Sequence, residues 1–188
     1  MHIVLASQSP RRQELLRQVG LSFTVIPSGV DERVDTPMRP DQLVEHLALI
    51  KAADVAAREP GALVVGADTI VVVDDAVLGK PRDRADAIAM LQRLSGRVHQ
   101  VMTGVALISG DRRLVAHEET TVRFRPLTLP EIERYVDSGE PMDKAGSYGI
   151  QGRASAMITG IEGDYFNVVG LPLCRTVQML SEFGVQVL

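Results

Sequence analysis

Two near-continuous aliphatic runs, residues 63–65 and 70–73, enclose Gly66-Ala67-Asp68-Thr69. Uninterrupted β-branched stretches of this kind predict a central strand covered on both faces. An ionised carboxylate within such a strand costs several kcal/mol unless it is paired or holds a cation. Asp68 therefore either starts a turn between two short strands or is presented at a polar site with Thr69 beside it. Asp74-Asp75 already supplies a turn signal, which favours the second reading. Beyond that turn, residues 76–78 run back antiparallel and return Lys80 towards the same end of the sheet.

Helical spacing of apolar positions predicts five further elements. Ser9 caps a helix that begins at Pro10, buries Leu15, Leu16 and Val19, and ends at Gly20. Residues 40–58 form a helix with the stripe Val44, Leu47, Ala48 and Val55. Asp83 caps a helix through Ser95 with Ala87, Ile88, Leu91 and Leu94 inward, and Thr128 caps another over residues 130–138. A terminal helix from Leu171 buries Leu173, Val177 and Leu180, with Cys174 read as a core thiol. The remaining strands are residues 3–6, 22–27, a long hairpin of 98–108 with 113–124, and a second hairpin of 156–161 with 165–168 about Glu162-Gly163.

A chain of 188 residues that is 45% hydrophobic can bury one sizeable core, divided or not into lobes. No apolar run approaches the roughly 20 residues that span a bilayer, and the opening MHIVLAS reads as a strand rather than a leader. The lone Cys174 excludes an internal disulfide and suits a reducing compartment, so a cytoplasmic location is expected. A net charge of −4 argues against broad nucleic-acid binding, though not against a small polyanion met by a local cluster of cations.

Such a cluster is present. The strand–loop–helix entry holds Ser7, Ser9 and a helix N-terminus with Arg11 and Arg12 in its first turn. Cations are unfavourable at that end of the helix dipole, and a bound phosphate would account for them; an exposed basic helix start is the alternative. Lys51 falls within the apolar stripe of its helix and either lies along the helix edge or points into a cleft. Glu32, after Gly29, matters only if its loop reaches Asp68. His99 has no second histidine at ligand spacing and reads as a structural residue. The glycines at 146, 149 and 152 let backbone approach a ligand closely, and Gln151 among them can donate to and accept from a base edge. Neither a dinucleotide fingerprint nor a Walker A loop is present. Cations for phosphates, with Asp68 and Glu32 to hold Mg²⁺ or Mn²⁺ and orient water, are what phosphoanhydride hydrolysis requires.

Leu5-Ala6-Ser7-x-Ser9-Pro10-Arg11-Arg12-x-Glu14-Leu15-Leu16, Gly66-Ala67-Asp68-Thr69, Lys80-Pro81, Leu94-Ser95-Gly96-x-x-His99 and Gly149-Ile150-Gln151-Gly152 together resemble the Maf family of nucleoside triphosphate pyrophosphatases, in order along nearly the whole chain. The segment from Lys144 to Gly152 resembles the branch acting on dTTP and UTP. The resemblance implies a mixed α/β fold like that of inosine triphosphate pyrophosphatases, an elongated sheet flanked by helices, with two lobes of one domain (1–188) about a central cleft. It implies conversion of a nucleoside triphosphate and water to the monophosphate and pyrophosphate. By motif, Asp68 is the proton acceptor; Arg11, Thr69 and Gln151 match base-specificity positions; and Ser7, Arg12, Glu32, Lys51 and Lys80 match polar cleft positions. A homodimer is implied by the family alone. Gln8 and Arg153-Ala154-Ser155 depart from the family pattern. The alternatives are a 7-methyl-GTP pyrophosphatase and a nucleotide-binding regulator of division or septum formation.

Overall fold

In the computed structural model, which describes residues 1–34 and 36–188, β1 (Ile3–Leu5) pairs in parallel with β2 (Thr24–Val25) on one side and β3 (Leu63–Val73) on the other. β3 runs unbroken through Asp68, so the run of aliphatic residues is one strand and not two. It closes onto β4 (Ala76–Leu78) through Asp74 and Asp75, with Val72 opposite Val77. Both aspartates are left-handed, with φ of 49° and 59°, a conformation tight hairpin turns require and aspartate tolerates. β5 (Val98–Ser109), β6 (Arg112–Phe124) and β7 (Ile158–Glu162) complete a seven-stranded mixed sheet of order β2-β1-β3-β5-β6-β7, with β4 on β3.

The helices α1 (Pro10–Gln18), α2 (Pro40–Ala56), α3 (Arg84–Leu94), α4 (Leu129–Asp137), α5 (Tyr165–Val169) and α6 (Leu173–Glu182) flank it. Ser9 caps α1 and Asp83 caps α3, and Thr128 with Glu131 forms a capping box on α4. Among the described residues, no helix is long and apolar enough to cross a membrane.

The chain groups into two compact units: residues 1–68, 103–118 and 170–188, and residues 69–102 and 119–169. The first has a core of small side chains, among them Val4, Ala6, Ala48, Ala52, Val64 and Ala106. α2 presses onto its strands because Gly66 and Gly104 carry nothing to hold it off. A Cβ at Gly66 would lie 2.5 Å from the Ala48 carbonyl oxygen, and one at Gly104 would lie 2.2 Å from that of Val44. Asp68 is two residues beyond Gly66 and thus on the same, α2-facing side of the strand. The second unit has a bulkier core of Leu91, Leu94, Phe124, Ile132, Tyr135 and Tyr148.

Three expectations are corrected. Residues 165–168 are not a strand: Asp164 starts α5, its Oδ1 accepting from the Phe166 N–H at 2.8 Å, so local capping overrides the β-forming composition, and β7 pairs instead with β6. Cys174 is exposed, because Leu173, Thr176 and Leu180 occupy the inward face of α6; Val177 is only half-buried. The second strand shrinks to two residues.

Candidate active site

The close approach of α2 to β3 decides what Lys51 can reach. Its Nζ lies 2.5 Å from Asp68 Oδ1 and 3.0 Å from Glu32 Oε1, with the lysine and aspartate side chains only 13% and 12% exposed. The lysine does not lie along the helix edge. It joins a carboxylate from a strand to one from a loop, and Glu32, 56% exposed, closes the group on its solvent side. Removing either buried partner would leave an uncompensated charge, at a cost of about 3–5 kcal/mol.

The entry from β1 into α1 supplies the second set. Ser7 is buried, and its Oγ accepts from the Ser9 N–H at 3.2 Å and from Arg12 Nη1 at 3.1 Å. Arg12 Nε donates to the carbonyl of Gly170, a glycine with φ of 128°, at 2.8 Å. The guanidinium is fixed on two sides before any ligand arrives. Burial lowers its pKa, the Asp68 and Glu32 carboxylates push it back up, and neighbouring Arg11 lowers it. The two clusters therefore share one field. Ser7, Arg12, Glu32, Lys51 and Asp68, five of the residues singled out by sequence, come together within the first unit, with Arg11 alongside.

Thr69, Lys80 and Gln151 belong to the second unit. Thr69 is half-buried on β3, while Lys80 and Gln151 are exposed. The segment carrying Gln151 is held by protein groups at every turn. Tyr135 Oη donates to Glu140 Oε1 at 3.0 Å and accepts from the Gly149 N–H at 3.3 Å; Glu140 Oε2 accepts from the Arg153 N–H at 3.1 Å. Gly146 N–H donates to the Gly79 carbonyl at 3.0 Å, tying this segment to the residue before Lys80. Its glycines serve the fold: a Cβ at 146 would meet Val71, one at 149 the Lys144 chain, and one at 152 the Glu140 carboxylate.

Beneath the segment, His99, Phe124 and Tyr148 stack edge to face with centroids 4.8–5.4 Å apart, and His99 Nε2 lies 2.8 Å from Tyr148 Oη. Burial pushes the imidazole down to about 4 and the Tyr148 phenol up. The ring is thus held by aromatic packing and one hydrogen bond.

Asp68 and Glu32 are hard oxygen donors that already converge on one cation, the Lys51 ammonium, which suits them to Mg²⁺ or Mn²⁺. Among the described residues, no group of three or more His, Cys, Asp or Glu side chains could hold a metal by itself. Two carboxylates would leave most of the coordination sphere of such an ion to other ligands.

The family model described as Maf-like protein matches residues 2–183. A dTTP/UTP pyrophosphatase of Symbiobacterium thermophilum is 66% identical over 97% of this chain and 94% of its own. One from Moorella thermoacetica is 56% identical over 98% of this chain and 96% of its own. Among solved structures, a HAM1 protein from Coxiella burnetii superposes with a TM-score of 0.54 at 20% identity, over 97% of this chain and 99% of that one, which is a likeness of fold.

Proposed function

This chain belongs to the Maf family, and from that membership we propose that it is a nucleoside triphosphate pyrophosphatase acting on dTTP and UTP. The bond between the α- and β-phosphoryl groups is broken by water, giving the monophosphate and pyrophosphate. The observation that carries this reading is the Lys51 ammonium bridging Asp68 and Glu32 within the field of Arg12. Cations alone serve to bind phosphates; a held carboxylate beside them can also take a proton from water, as hydrolysis requires.

In this reading, Asp68 accepts the proton of the attacking water, and Lys51 holds the carboxylate in one orientation. Arg12, fixed by Ser7 and Gly170, meets the phosphates together with Arg11, and Lys80 adds charge as pyrophosphate departs. Preorganised donors of this kind stabilise developing charge without having to reorient, worth about 3–4 kcal/mol for each well-placed group. Thr69 and Gln151 set base preference. Asp68 and Glu32 would hold Mg²⁺ or Mn²⁺, which when bound supplies neutralisation of phosphate charge.

The test is pyrophosphate release from a panel of dTTP, UTP, GTP and 7-methyl-GTP with Mg²⁺, using wild type and Asp68→Asn. Pyrimidine turnover that disappears in the variant, while calorimetry still shows UTP binding, is the expected result. Undiminished turnover in Asp68→Asn removes the assigned role, and preference for 7-methyl-GTP selects the other branch.

A further inference from the structure

Glu32 is the weakest-held member of the site, since it projects from a loop and is more than half exposed. That loop is nevertheless fastened to α2 a second time. Asp54, three residues beyond Lys51 and so close to the same helix face, accepts at Oδ2 from Ser28 Oγ at 2.9 Å, the Gly29 N–H at 3.0 Å and Arg58 Nη2 at 2.9 Å. Arg58 also donates to the Pro27 carbonyl at 3.1 Å. Within the loop, the Val30 N–H returns to Ser28 Oγ at 3.2 Å, tightening the path from the fastening towards Glu32. The same helix thus grips the loop at Ser28–Gly29 through Asp54 and at Glu32 through Lys51.

We propose that Asp54 is a positioning residue for catalysis, setting where Glu32 stands by clamping the start of its loop to the helix that carries Lys51. This rests on the role given above to Glu32. The clamp is charged: the bonds from Gly29, Ser28 and Arg58 hold the Asp54 carboxyl below the ordinary aspartate value. It is also partly open to water, with the Asp54 side chain 30% exposed. A carboxylate displaced by about 1 Å from its working position can cost up to about 10²-fold in rate.

A double-mutant cycle on UTP hydrolysis tests this, with melting temperatures as the control for folding. Asp54→Ala should lower kcat by about tenfold with little change in KM, and Asp54→Asn, which keeps an acceptor for the loop, should recover part of the loss. In a Glu32→Gln background, Asp54→Ala should have no further effect, because the group it places has already been disabled. Equal losses in both backgrounds, or no loss in the wild type, overturn the positioning role while leaving Glu32 in place. Unchanged turnover in Glu32→Gln alone overturns the role of Glu32, and the proposal with it.

Discussion

The two units hold the candidate site side chains they carry in opposite ways. In the first, the charged side chains are held by fixed partners: Lys51 by Asp68 and Glu32, Arg12 by the Ser7 hydroxyl and the Gly170 carbonyl. In the second, Lys80 and Gln151 stand exposed, while Tyr135, Glu140 and Lys144 are bonded to the backbone of the 140–153 segment that carries Gln151. The first arrangement suits chemistry, because charges fixed in advance need no reorganisation as a reaction proceeds. The second suits recognition: side chains left open on a firm support can be satisfied by a ligand and discriminate between ligands.

The contrast is most directly broken at Lys51. Lys51→Met should reduce kcat for UTP by about 10²-fold and, by leaving Asp68 buried without its cation, cost about 3 kcal/mol in urea unfolding. If both stay near wild type, the first unit's charges are not coupled as described.

Next in size is an acid sensitivity seated in the second unit. Folded His99 has its pKa pushed down by burial from 6.5 to about 4, so the unfolded chain takes up the proton first as pH falls. The folded state is therefore penalised progressively below pH 6.5, by about 3 kcal/mol at pH 4, and not at all above neutrality. Urea unfolding of wild type and His99→Gln at pH 7 and pH 4.5 should show a shallower loss in the variant. Equal losses would mean that the buried ring is not the source.

Smaller still is the change expected from Gln151→Ala, a roughly tenfold drop in the UTP-to-GTP ratio of kcat/KM with an unaltered melting temperature. A fixed ratio takes base reading away from this residue. At the bottom of the scale, Arg84→Ala, which breaks an exposed pair between α3 and α4, should leave both melting temperature and turnover unresolved from wild type.

Much of this was legible in the chain itself, for reasons that differ by element. The β3–β4 hairpin and the starts of α1, α3 and α4 are dictated by residues within a few positions of one another: Asp74-Asp75, Ser9-Pro10, Asp83 and the Thr128–Glu131 box. α5 was hidden because its Tyr-Phe-Asn-Val-Val favours a strand; Asp164 just before it was the available signal. The grouping of Ser7, Arg12, Lys51 and Asp68 was suggested by residue type and family motif, but not by any spacing. What escaped altogether were contacts between distant segments. Gly170 is 158 positions from the arginine it orients, and Asp54 lies 26 from the serine it holds. The purpose of Gly66 and Gly104 shows only in the helix laid across them.

Those two glycines also limit how the protein can change. Replacing glycine with alanine is a common route to a stiffer, more heat-resistant chain, yet here either replacement would wedge a methyl group between helix and sheet. The gap between the ammonium and the buried carboxylate is gauged by main chain resting on main chain, a hard stop that repacking of neighbouring side chains cannot shorten. Lineages of this enzyme seeking thermal tolerance would have to find it elsewhere in the molecule, with the seat of α2 left as it is.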